Sequence, residues 1–92
     1  MTRPSARRPR ADKPGRDDLV AIFGANLKAA RLKAGLTQAQ LAAGAGLLQQ
    51  YVSLVESGRQ NVTLTTAQVL AKVVNRDVRT LLTRPRARFI RA

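Results

Sequence analysis

The sequence predicts an all-α fold of five short helices with a basic arm on each side. Three observations lead to it. Between residues 17 and 82, apolar residues recur every three or four positions, the period of a helix with one buried face. Four of the five apolar runs open on Asp or Thr, and the breaks between runs fall on Gly, Asn or Pro, which are helix start and stop residues. No stretch of this region alternates apolar and polar residues as a half-buried strand does.

The first helix is expected over 18–34. Asp17 and Asp18 suit its N-terminus and dipole, and Phe23, Leu27, Ala30 and Ala34 share one face. Gly24 is a mild cost inside it, and Gly35 is its left-handed stop. Thr37 opens the second helix, 38–44, and forms a capping box with Gln40 three residues on. Leu41, Ala42 and Ala45 are its inner face. Gly46 makes a turn with Leu47 as an apolar plug, and helix 3 follows over 48–57, with Val52 and Val55 inward and Gly58 as its stop. Arg59 to Val62 form a loop. Thr63 caps helix 4, 64–74, with Leu64, Ala67, Leu70, Ala71 and Val74 as inner candidates, and Asn75 takes its left-handed end. Asp77 caps helix 5, 78–82, where Val78, Leu81 and Leu82 pack back, and Pro85 ends the run. Two short helices joined by Ala45-Gly46-Leu47 make a helix-turn-helix, the unit that lays its second helix in the major groove of DNA.

The charge distribution points the same way. The chain has 92 residues, with 17 Lys and Arg against 5 Asp and Glu, a formal net charge of +12. Residues 1–16 carry six basic residues and Asp12, and residues 83–92 carry four basic residues. A near-balanced centre, 17–82, is flanked by two basic arms, which are either polyanion contacts or solvated tails. Residues 1–16 hold three of the four prolines and no large aliphatic residue, so disorder is expected there. A domain this small, with an Ala-rich core, is marginal alone and gains from pairing with a second copy.

Whole classes of chemistry drop out. There is no Cys and no His, which removes thiol and imidazole catalysis, disulfides and Cys/His zinc sites. Four Asp and one Glu are scattered, mostly at helix starts, and no base or metal cluster emerges. The expectation is no enzyme, no metal and no cofactor. No apolar run is long enough to span a bilayer, and none follows the basic N-terminus as in a signal peptide. A cytoplasmic protein with no membrane partner is the reading.

From Phe23 to Leu82 the chain resembles the phage-repressor (Cro-like, XRE-like) helix-turn-helix family. The resemblance rests on Leu27-x-x-x-Arg31, Gly35-Leu36-Thr37-Gln38-x-x-Leu41-Ala42, Ala45-Gly46-Leu47, Val52-Ser53-x-x-Glu56-x-Gly58, and Leu64 with the run behind it. It covers about two-thirds of the chain and implies a lambda-repressor-like five-helix domain, usually dimeric, whose third helix reads DNA. The sequence departs from the family at Leu48, where Ser or Thr is commoner as the helix-3 cap, and at Gly44, where a helix-favouring polar residue is commoner. Both arms lie outside the family pattern.

Base readers are expected at the start of helix 3. Gln49 and Gln50 can each match adenine through a bidentate amide, against the alternative of two solvated amides. Ser53, one turn on, can meet a base or a phosphate. Leu48 either leaves helix 3 with a poorer start or meets a thymine methyl. Phosphate contacts are expected from Gln38 at the first turn of helix 2, from Tyr51 (whose ring can instead pack inward), and from the loop residues Arg59, Gln60 and Asn61. By resemblance, Arg31 and Glu56 form a structural ion pair that orients helix 3.

The leading expectation is a transcriptional regulator, a repressor, binding an inverted repeat in double-stranded DNA as a homodimer. One alternative is an antitoxin of a HipA-type pair that binds a partner toxin and represses its own operon, since Asn61-Val62-Thr63-Leu64-Thr65-Thr66 is similar to a segment of such antitoxins. Others are the controller protein of a restriction–modification system and a nonspecific nucleic-acid chaperone acting through the arms.

Overall fold

The computed structural model describes residues 18–85. The basic arm over 1–16, Asp17, and Phe89 and Ile90 in the basic tail lie outside them. The described elements are α1 (Leu19–Lys33), α2 (Gln38–Ala45), α3 (Gln49–Glu56), α4 (Leu64–Val73) and α5 (Val78–Leu81). Each boundary falls within one residue of the sequence expectation. Local chemistry explains this. The Asp18 carboxylate accepts from the Val20 amide at 3.0 Å, and the Thr37 hydroxyl accepts from the Gln40 amide at 3.0 Å. The Gln40 carbonyl oxygen Oε1 returns the bond to the Thr37 amide at 2.9 Å, completing the capping box. Thr63 and Asp77 cap α4 and α5 through the amides of Thr66 and Arg79. Asn75 holds a left-handed φ of 60° behind α4.

α1 packs on α3 and α5, α2 on α3 and α4, and α4 on α5. Their inner faces meet in one core in which Leu27, Leu41, Val52, Val55, Leu70, Val74 and Leu81 are essentially fully buried. Each such side chain contributes about 1.5–3 kcal/mol through removal from water. Leu36, Ala45, Leu47, Tyr51, Val62, Val78 and Leu82 pack around it, partly buried. Asn26 on α1 donates from Nδ2 to the Leu81 and Thr83 carbonyls, each at 2.9 Å, and so ties the end of α5 to α1.

Two inner-face expectations are corrected. Ala34 is exposed, because it is the C-cap of α1 rather than part of its last turn. Leu64 is 75% exposed. It is the first residue of α4, at an end that the neighbouring helices do not cover, so periodicity alone assigns it to the wrong environment.

Candidate nucleic-acid interface

The turn between α2 and α3 is fixed by backbone geometry. Gly46 sits at φ 71°, ψ 32°, a left-handed conformation that glycine adopts without the Cβ penalty. The Leu47 amide then donates to the Ala42 carbonyl at 2.8 Å, and the Leu47 side chain packs on the core. Gly44 bears instead on α2 and α4, since a Cβ there would stand 3.0 Å from Val73 Cγ1. The small residue lets α2 approach α4, which gives a physical reason for its departure from the family pattern.

α3 is anchored from within. Val52 and Val55 are buried. A Cβ on Gly24 would lie 2.1 Å from the Val55 carbonyl oxygen, so α1 and α3 cross at a distance only glycine permits. Gly24 is therefore a packing requirement rather than a mild cost. Glu56 accepts from Arg31 Nε at 2.6 Å on Oε2 and from Arg31 Nη2 at 3.0 Å on Oε1. The side chains of Arg31 and Glu56 are only 8% and 3% exposed. Arg31 Nη1 also donates to the Leu36 carbonyl at 2.9 Å. A bidentate, buried pair in which each guanidinium nitrogen and both carboxylate oxygens are hydrogen-bonded is the geometry in which attraction offsets desolvation.

Gln38 joins this network. Its Nε2 donates to Glu56 Oε1 at 3.0 Å, and the side chain is half-buried. One amide hydrogen is thereby engaged inside the protein, and only the second Nε2 hydrogen is left to donate to a phosphate. Sequence reasoning had no signal for this bond, because it joins residues 18 apart across the turn.

The start of α3 is open. Leu48, Gln49, Gln50 and Ser53 are all exposed. Leu48 is the N-cap and makes no side-chain capping bond. Tyr51 is half-buried against the core, and its hydroxyl donates to the Asn61 carbonyl over a long 3.4 Å. Gln60 Nε2 donates to the same carbonyl at 3.3 Å. Tyr51 thus links the loop after α3 to that helix, the Gln60 bond lies within the loop, and Arg59 and Asn61 are exposed on it. Two amides, a hydroxyl and an apolar side chain gathered at one helix start can serve hydrogen-bonding and methyl contacts to base edges. An exposed Arg and amides beside them suit phosphates. Among the described residues no group of His, Cys, Asp or Glu could hold a metal ion, and no helix is long and apolar enough to cross a membrane.

These elements define a helix-turn-helix DNA-binding unit. A helix-turn-helix family match spans residues 27–81, and the chain belongs to the XRE-like branch of that family, the DNA-binding transcriptional regulators. It is 42% identical to the control protein C.SmaI of Serratia marcescens over 73% of this chain and 80% of that protein. Its fold is similar to a hypothetical transcription factor, NHTF, from Neisseria, at a TM-score of 0.75 and 32% identity, covering 84% of this chain and 88% of the other. It is also similar to the restriction-modification controller protein C.AhdI from Aeromonas hydrophila, at a TM-score of 0.65 and 37% identity, covering 67% and 94%.

Proposed function

We infer that this regulator binds a short inverted repeat as a homodimer and that the N-terminal end of α3 reads its bases. The observation that carries this is the asymmetry of α3. Its inner face is locked by Gly24, Arg31 and Glu56, while Leu48, Gln49, Gln50 and Ser53 are presented to solvent together. Gln49 and Gln50 supply bidentate amides for adenine, Ser53 a base or backbone contact, and Leu48 an apolar one. Arg59, Asn61, the remaining hydrogen-bonding capacity of Gln38, and Gln60 and Tyr51 beside them position the backbone. The basic arms add sequence-independent affinity.

Among the readings, the controller protein of a restriction–modification system gains specific support from the likeness to C.SmaI and C.AhdI. The antitoxin reading rests on the string Asn61–Thr66 alone. Regulation of transcription from the bound site is common to all three.

Selection of binders from a random duplex library tests the function. The expected result is an inverted repeat with half-sites about 34 Å apart, one helical turn, bound by two chains. Enrichment of no motif, or a one-chain complex on a single half-site together with light scattering of a monomer at tens of micromolar, would remove the proposal.

A further inference from the structure

The start of α3 departs from a rule that the other helices follow. Asp18, Thr37, Thr63 and Asp77 each accept backbone N–H groups at the heads of α1, α2, α4 and α5, and Leu48 accepts none. A Ser, Thr, Asn or Asp in its place would stabilise the helix. Leu48 is also 76% exposed, the highest value for a large apolar side chain among the described residues. Two unfavourable choices meet at one residue, directly before Gln49 and Gln50. Such a local conflict is expected where a residue serves contact rather than folding. A Leu side chain can offer only apolar contact, and in the major groove the apolar group on a base edge is the methyl on C5 of thymine.

We propose that Leu48 is a specificity-determining residue that reads the C5 methyl of a pyrimidine, so that DNA binding responds to methylation of that carbon. This rests on α3 being the reading helix. Thymine and 5-methylcytosine carry the same methyl at the same ring position. They differ in the neighbouring O4 acceptor or N4 donor, which an aliphatic side chain does not distinguish. Thymine is the unmodified source of the contact, and 5-methylcytosine is the source that enzymatic modification creates.

The test uses the full chain on its selected operator. Each thymine is replaced singly by deoxyuridine, which lacks only the methyl. At the thymine that proves sensitive, a cytosine is then introduced and compared with 5-methylcytosine. Loss of one methyl should weaken the parent about four-fold, corresponding to about 0.8 kcal/mol for one buried carbon. Methylating the introduced cytosine should recover about the same factor. Leu48→Ala should bind thymine and uracil duplexes alike. Leu48→Ser should do so too while melting above the parent, because it restores a cap, an opposition of binding and stability that a packing residue would not produce. Leu64→Ala, equally exposed but at the head of α4, should keep the methyl dependence. If the parent prefers its operator over scrambled DNA yet tolerates every uracil, the methyl proposal is overturned and reading by α3 survives. A methyl dependence that persists in Leu48→Ala overturns it as well. Loss of all operator preference overturns both.

Discussion

The two ends of α3 are built differently. At the C-terminal end, the Val55 carbonyl abuts Gly24, Glu56 pairs with Arg31, and Gly58 turns the chain at a φ of 76°. The Arg59 amide then closes that end on the Leu54 carbonyl at 2.9 Å. At the N-terminal end no side chain caps the helix, and Leu48, Gln49, Gln50 and Ser53 stand in solvent. One end fixes the direction of the helix and the other presents what it carries. The difference teaches where stability and recognition are separable. Changes at the clamped end should cost folding, and changes at the open end should alter base preference with little effect on folding.

The comparison breaks most severely at Glu56. Glu56→Ala strands a buried guanidinium and should cost about 3–5 kcal/mol in urea denaturation. A variant that keeps the parental stability but selects a different DNA sequence would move Glu56 to the reading side. Gly24→Ala comes next. Its Cβ would collide with backbone rather than with a flexible side chain, so a loss of about 3 kcal/mol is expected, the upper part of the overpacking range. Equal melting temperatures for Gly24→Ala and the parent would mean that α1 and α3 do not cross so closely. A smaller effect contrasts two helix starts. Thr37→Ala should destabilise by about 1 kcal/mol through loss of the capping box at α2, whereas Leu48→Ala should stay within about 0.5 kcal/mol of the parent.

The smallest effect lies outside α3. The Arg79 guanidinium and backbone amide hydrogen-bond the Asp77 carboxylate and lower its pKa from 3.8 to about 2. Because the folded-state value is the lower one, the stabilisation is present above about pH 4 and fades as the pH falls toward 2. The pair is exposed and salt-screened, so its weight is slight. Carboxyl NMR should show Asp77 titrating near 2, and a midpoint at the ordinary value would show that the bonds do not persist in solution.

Much of this was legible because it is local. Helix starts at Asp18, Thr37, Thr63 and Asp77, and reversals at Gly46 and Asn75, depend on residues within one turn of each other. The apolar period placed Leu27, Leu41, Val52 and Leu70 in the core. What escaped depends on how elements meet. The need for Gly24 arises from the Val55 carbonyl, more than thirty residues on in the chain, and Asn26 bonds carbonyls 55 and 57 residues away. Gln38 reads from sequence only as a phosphate contact, because nothing in its own turn reveals Glu56. Leu64 fits the period of α4, but the period does not tell where neighbouring helices stop. At the proposed interface, the resemblance points to Gln49 and Gln50 at the start of α3, and the structure adds that these and Ser53 are exposed.

The most direct test is a salt titration of the parent, Gln49→Ala, Gln50→Ala and a chain lacking residues 1–16 on operator and scrambled duplexes. If the open end of α3 reads sequence, each Gln variant loses about 1–3 kcal/mol on the operator and almost nothing on scrambled DNA. The truncation instead weakens both duplexes and flattens the slope of log K against log salt by about 0.9 for each phosphate that the arm no longer neutralises. Gln variants that weaken both duplexes equally would contradict reading by α3.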